Sequence, residues 1–293
     1  MQNNKPKVPK KSFILQFYVL IISFIFPILT YKTLQIYKPS NNSLKSFFIG
    51  NLTFFIFALV LEQFLHLLVI TLFPKLKDNI ILFGIYGGIA AGLFEETGRL
   101  FSFSYFLNSQ EIRNNNINSV YYGIGHGGIE IWMIVTLTYV NNIIISLKYN
   151  NGTLEEYLEK VDEEKKNTII TQFDTLINLD MLTCFACIYE RIISMIFHIG
   201  NSIIVWYGIK NKTILPMTLL SIFNHTLVNS VTVILSFKLK KTSIPLMIQY
   251  FIIYSNLTII TSYNTIFALY FSNKTKYVLE AINYIKSNIK GDL

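Results

Sequence analysis

Apolar runs long enough to cross a bilayer recur along the chain, at about 13–31, 47–73, 80–107, 119–146, 181–207, 214–237 and 246–272. A helix needs about 20 such residues to span about 30 Å of hydrocarbon. The pattern therefore predicts an all-α, polytopic transmembrane helix bundle of about seven spans, within a range of six to eight. Turn formers fill the links: Pro39–Asn42, Pro74–Asn79, Asn114–Asn116, Asn150–Gly152 and Lys210–Lys212. The longest link, 147–180, runs from acidic to basic between Leu154 and Lys166. That order suits a short surface helix aligned with its own dipole, its charges facing water. No linker and no repeat divides the sequence, so 1–293 reads as a single integral membrane domain.

Composition agrees with that pattern. Hydrophobic residues make up 52% and charged ones 14%, against about 25% charged in soluble proteins; the mean hydropathy is +0.44. The formal net charge is +8, but the lysines are scattered among the links and form no basic groove, which excludes nucleic acid as a partner. Lys5, Lys7, Lys10 and Lys11 precede the run Ser12–Tyr31 as in a signal peptide. No small-residue cleavage site follows, so the run reads as an uncleaved first span of a multi-pass protein, with the plasma membrane as its expected location. Cys184 and Cys187 form a lone C-x-x-C inside an apolar run, without the second pair of a zinc ribbon or the βαβ setting of a redox motif. They read as small packing residues.

The chemistry sits in polar residues placed where lipid should be. In the third span Gly84, Gly88, Gly92 and Glu96 follow at i+4, a small-residue groove that admits another helix and leads to a carboxylate. Glu95 stands i, i+4 from Arg99 and Glu96 stands i, i+3, so the arginine can hold one of them charged. The fourth span places Tyr122, His126 and Glu130 on one face beside Gly123 and Gly127. The fifth carries Glu190, Arg191 and His198, and the sixth carries His225 and Asn229 one turn apart. Each charged side chain costs roughly 2.5–3.5 kcal/mol at mid-bilayer if unpaired. Four carboxylates, two arginines and three histidines on four helices must therefore face one another or a water-filled cavity. The pattern predicts a shared polar centre.

Such a centre suits water activation, with a glutamate as general base and histidine or asparagine donors for a developing oxyanion. Serine or cysteine nucleophiles lack a local base partner. A divalent metal such as zinc would have to take ligands from several helices, with His126, His198 and His225 as the candidates, since no H-E-x-x-H motif is present. Two other classes fit the same residues: a proton-coupled transporter or channel, because Glu/His chains also relay protons, and a catalytically silent membrane scaffold.

Glu95-Glu96-x-x-Arg99, Gly123-x-Gly125-His126-Gly127-x-x-Glu130, Glu190-Arg191 with His198, and His225-x-x-x-Asn229 together resemble the YhfC-type membrane peptidases. These belong to the superfamily of CAAX-prenyl-protease-like glutamic intramembrane proteases (CPBP). The resemblance covers about residues 80–235. It implies an intramembrane endopeptidase acting on membrane-protein or lipid-anchored peptide substrates. By it, Glu95 or Glu96 would activate water, His126 and His198 would line the site, and His225 with Asn229 would form the oxyanion hole; Arg99, Glu130, Glu190, Arg191 and Tyr122 would support them. The resemblance implies no obligatory cofactor. Two departures stand out. Two residues, not three, separate the glutamate pair from Arg99, which leaves the choice of base between Glu95 and Glu96 open. Tyr122 also replaces the superfamily's phenylalanine.

Overall fold

The computed structural model describes residues 7–291; Lys5, one of the lysines before the first span, lies outside them. The described residues form helices: α1 (Lys10–Tyr37), α2 (Ser43–Ile56), α3 (Glu62–Leu72), α4 (Ile80–Tyr105), α5 (Gln110–Asn114), α6 (Ile117–Ile131), α7 (Leu137–Asn150), α8 (Leu154–Leu158), α9 (Glu163–Ile177), α10 (Met181–Lys210), α11 (Ile214–Lys240) and α12 (Leu246–Gly291). A π-helical turn, Phe57–Leu61, joins α2 to α3, and another, Trp132–Thr136, joins α6 to α7. The apolar runs 47–73 and 119–146 are thus single long helices with one widened turn each.

Among the described residues, six helices are long and apolar enough to cross a membrane: Lys10–Tyr37, Ser43–Leu72, Ile80–Tyr105, Ile117–Asn150, Met181–Lys210 and Ile214–Lys240. The run expected at 246–272 is helical too, as part of the 46-residue α12, but is not among the six. Gln249, Asn256 and Asn264 dilute its apolar character, and its buried face is Ile253, Leu257, Thr261, Asn264 and Ala268.

Side chains sort as they do in lipid. On α1 the buried positions are Ser12, Gln16, Val19, Ser23 and Pro27, while Ile14, Phe17, Ile21, Phe24, Ile25 and Leu29 are exposed. Small and polar groups face inward and large apolar ones outward, the arrangement expected where helices associate by close packing and interhelical hydrogen bonds.

The chain divides into two compact units. One comprises residues 1–30 and 130–192. Its core is Val19, Val135, Tyr139, Leu179 and Cys184, tied by Ser12 Oγ donating to the Leu176 carbonyl at 2.6 Å and by the Ser23–Thr136 hydroxyl pair at 2.9 Å. The link expected as one surface helix is two, α8 and α9. Glu155, Glu156, Glu159 and Asp162 are exposed as expected, but Leu154, Tyr157, Leu158 and Val161 pack on Ile145, Ile169 and Leu176. The segment is amphipathic, not merely solvated, because every third or fourth position is apolar.

The other unit comprises 31–129 and 193–293. Phe103, Leu107, Ile112, Tyr122, Val205 and Trp206 form its main apolar cluster. Asn224 Nδ2 donates to Asn264 Oδ1 at 2.9 Å, and Asn264 Nδ2 donates to the Phe197 carbonyl at 3.1 Å, which clamps α12 to α10 and α11.

Candidate active site

The glycine groove of α4 receives α11. A Cβ on Gly84 would lie 2.6 Å from Ile234, and one on Gly92 would lie 2.7 Å from Thr226 Oγ1 and 2.8 Å from the Ile222 carbonyl. At Gly88 it would strike Ser230. Backbone this close excludes a side chain at Gly88 and Gly92, while at Gly84 the close neighbour is the Ile234 side chain. The row Ile222, Thr226, Ser230 and Ile234 fits the row Gly84, Gly88 and Gly92, and the contact carries His225 and Ser221 onto the glutamates. On the other side of the unit, Gly50 meets the backbone at Tyr122 and His126, and Gly125 meets that of Phe47. This crossing brings His126 against Phe54, with ring centroids 5.3 Å apart.

Glu96 is fully buried and surrounded by donors. Its Oε1 accepts from His225 Nδ1 at 2.7 Å, Asn201 Nδ2 at 3.0 Å and Arg99 Nη2 at 3.2 Å. Its Oε2 accepts from Arg99 Nε at 2.9 Å and from the Ser221 hydroxyl. Arg99 is itself fully buried. It donates further to the His198 carbonyl at 3.0 Å and to Ser202 Oγ, contacts His198 Nδ1 at 3.3 Å, and stacks over the Tyr122 ring at 5.7 Å. Arginine therefore pairs with Glu96 at i, i+3, and not with Glu95, the i, i+4 neighbour.

Glu95 faces imidazoles. His126 Nε2 lies 2.8 Å from its Oε2 and His225 Nε2 lies 3.6 Å from its Oε1. The ring centroids of His126 and His198 are 4.8 Å apart, and those of His198 and His225 are 5.4 Å apart. The structure thus brings together Glu95, Glu96, Arg99, His126, His198 and His225, with Tyr122 beside them.

Other expected residues lie elsewhere. Asn229 is half-buried one turn beyond His225 and stays outside this network; the amide on Glu96 belongs to Asn201, which sequence reasoning missed. Asn201 sits three residues after His198, and nothing in an isolated asparagine signals which helix it will meet. Ser202 and Ser221 stand one turn from His198 and His225, but that spacing does not show that they meet Arg99 and Glu96. Glu130, Glu190 and Arg191 belong to the 1–30/130–192 unit. There Arg191 Nη1 donates to Glu130 at 2.7 Å and Nη2 donates to Glu190, a triad of its own.

Glu95, His126 and His198 also form a group that could hold a metal ion: one ligand atom from each lies within 4.8 Å of the others, and all three residues are buried. One carboxylate with two imidazoles is a donor set that catalytic zinc uses. His126 Nδ1 is a buried nitrogen with no hydrogen-bond partner, which leaves the imidazole unsaturated. The donor set therefore fits a divalent cation. His225, expected as the third histidine ligand, is not in this group; its Nδ1 is held by Glu96 and its Nε2 lies 3.6 Å from Glu95 Oε1.

The model of the YhfC family, described as an intramembrane metalloprotease, matches residues 22–252. The chain belongs to the YhfC family. It is 34% identical over 191 residues to the "Uncharacterized membrane protein YhfC" of Bacillus subtilis (strain 168), an overlap of 64% of this chain and 71% of that protein. No solved structure matches. The YhfC match spans every residue of the Glu–His centre. Family membership and six apolar helices together make this an integral, multi-pass membrane protein of an intramembrane protease family.

Proposed function

We propose that the chain is an intramembrane endopeptidase that hydrolyses peptide bonds of membrane-embedded or lipid-anchored substrates, with Glu95 as the reactive carboxylate and Glu96 as its anchor. The plasma membrane is the proposed location. The observation that supports this reading is the difference between the two glutamates. Glu96 accepts from Arg99, His225, Asn201 and Ser221, which spends its lone pairs and holds it as a fixed charge. Glu95 is set against His126 and His225, groups that exchange protons.

Glu95 would take a proton from the attacking water while His126 Nε2 holds its other oxygen. An ionised carboxylate only accepts, so Glu96 fixes His225 with Nδ1–H toward it. His225 then presents Nε2 to Glu95, where it can take the proton that Glu95 removed from the water and pass it to the leaving amine, which returns Glu95 to its ionised form. Asn229, one turn along the same helix, is the proposed donor to the developing oxyanion. Arg99 orients His198 across the site. Glu95, His126 and His198 are the residues that would hold a divalent ion such as zinc, which when bound would polarise the carbonyl and acidify a water.

The test is cleavage of single-span peptides by the purified protein in lipid nanodiscs, read by mass spectrometry of the new termini. Cleavage is expected. Its loss on chelation and return with zinc would assign the metal chemistry; persistence in chelator would assign the carboxylate alone. No cleavage by the wild type across a broad peptide set, with pH-dependent flux in liposomes instead, would overturn the protease reading in favour of a transporter.

A further inference from the structure

A cavity of about 120 Å³ lies where α6 begins and α10 ends, within the 31–129/193–293 unit. Its polar lining is Asn116, Ser119, Tyr207, Lys210 and Ser272, and Trp206 forms part of its wall. It is separate from the Glu–His centre, whose His126 and His198 stand further along the same two helices. A single water needs roughly 10–15 Å³ and a drug-sized ligand about 300–1,000 Å³. The cavity therefore suits a group of a few heavy atoms.

Its polar groups are set out as donors. Trp206 Nε1 lies 3.2 Å and Lys210 Nζ 2.7 Å from Asn116 Oδ1. Both of those groups only donate, so the amide oxygen must face them and the amide nitrogen is turned the other way. Among the described residues, Asn116 Nδ2 and the Tyr207 and Ser272 hydroxyls meet no acceptor. The Lys210 ammonium keeps two N–H groups beyond its bond to Asn116. No carboxylate lines the cavity, and Lys210 has no ion-pair partner among the described residues. Arg113, three residues before Asn116, likewise has a buried Nε without a partner. A lysine at a helix end can snorkel to water, but Lys210 turns to Asn116 and stays half-buried. Donors in excess around an ammonium, with no acid, are the complement of an anion.

We propose that this cavity binds a phosphate group, carried by the headgroup of an anionic phospholipid. The site is independent of the hydrolytic reading of the Glu–His centre. Lys210 ends a helix long and apolar enough to cross a membrane, which puts it at the level of the lipid phosphates. Trp206 and Tyr207 beside it are the residue types that favour that level, and basic pockets between spanning helices bind such headgroups. The phosphate oxygens accept from Lys210 Nζ, Asn116 Nδ2 and the two hydroxyls. Ile117, Val120 and Ile203 complete the lining and meet the apolar part of the lipid. A choline headgroup finds no carboxylate for its ammonium, so the site favours a lipid with net negative charge. The bound phosphate joins the start of α6 to the end of α10, the helices that carry His126 and His198.

The test uses the delipidated full chain in neutral detergent, with dioctanoyl phosphatidylglycerol, dioctanoyl phosphatidylcholine or inorganic phosphate added. Binding is read by native mass spectrometry and by melting temperature. Phosphatidylglycerol is expected to stay bound and to raise the melting temperature more than phosphatidylcholine does. Lys210→Gln should weaken its binding about tenfold or more, the loss of a hydrogen bond between charged groups. Asn116→Asp should weaken it as much, because it keeps the acceptor for Trp206 and Lys210 but gives the lysine an internal counter-charge. That near-isosteric change keeps the site testable even where Lys210→Gln fails to fold. Lys212→Gln, which removes an exposed lysine two residues on, should bind as the wild type does. Equal lipid retention by wild type and Asn116→Asp, or equal losses in Lys212→Gln and Asn116→Asp, would overturn the site. Equal retention of the two lipids would overturn the preference for an anionic headgroup. Inorganic phosphate that displaces phosphatidylglycerol and stabilises as strongly would support the phosphate site and overturn the lipid as its source.

Discussion

Among the described residues two arginine–carboxylate sets stand out, one fully buried and one partly buried, and they are built differently. In the 1–30/130–192 unit Arg191 binds Glu130 and Glu190, one carboxylate on each side of its guanidinium. In the other unit Arg99 binds a single carboxylate, Glu96, and spends its remaining donors on the His198 carbonyl, Ser202 and the His198 ring. The first set pairs charges with charges. The second uses its arginine to fix a carboxylate and a histidine in place, and leaves the neighbouring Glu95 to the imidazoles. An ion triad of the first kind locks a helix pair. A network of the second kind preorganises a site, because the groups that hold it are distinct from the groups that would react.

The comparison can be broken most easily at the arginines. Arg99→Leu strands a fully buried carboxylate and is expected to cost about 3–5 kcal/mol, read as a lower melting temperature in one detergent. Arg191→Leu should cost less, because its side chain and that of Glu130 are 13% and 12% exposed, and it should leave cleavage rates intact. Equal losses at the two sites would erase the distinction. Next in size is the groove: Gly88→Val must push α11 away at Ser230 and Thr226, an overpacking cost of about 1–3 kcal/mol, with loss of cleavage as His225 leaves Glu96. Gly87→Ala is its control, since nothing lies within 4 Å of a Cβ there, and it should match the wild type in both assays.

The smallest effect is expected outside the membrane spans. Asp180 caps α10 by accepting from the Thr183 N–H at 2.8 Å. Hydrogen bonds from Thr183, side chain first and backbone second, hold its carboxyl below the usual aspartate range. A carboxyl depressed in the folded state stabilises above its unfolded pKa and ceases to as pH falls through the folded value. Asp180→Ala should therefore lower the melting temperature slightly at neutral pH, as loss of a cap worth about 0.5–2 kcal/mol, and the difference should vanish under acid. A difference that persists in acid would refute the capping account.

Much of this was legible in the sequence, for identifiable reasons. Charge inside an apolar run is costly, so Glu95, Glu96, Arg99 and the three histidines advertised themselves. The spacing Gly84, Gly88, Gly92 announced a groove, and α11 occupies it. What stayed hidden were neutral partners and choices between near-equal neighbours. Asn201, Ser202 and Ser221 are inexpensive in a helix, and the one-turn spacing of the serines from His198 and His225 does not reveal which side chain each meets. The preference of Arg99 for Glu96 over Glu95 follows from α11, whose Ser221 and His225 meet the glycine face where Glu96 lies. The pairing of Glu130 with Arg191 was equally hidden, since it depends on which helices meet. The widened turns at Phe57–Leu61 and Trp132–Thr136 left no mark in the hydrophobic pattern.

The division of labour between the adjacent glutamates is the central claim, and one comparison tests it most directly. Peptide cleavage is measured for Glu95→Gln and Glu96→Gln, each scaled to its folded fraction by near-ultraviolet circular dichroism. Glu95→Gln should fold as the wild type and lose about 10²–10⁴-fold in rate, the contribution of a positioned base. Glu96→Gln should lose folded protein first and retain measurable cleavage in what remains. A folded Glu95→Gln that cleaves at the wild-type rate would contradict the account.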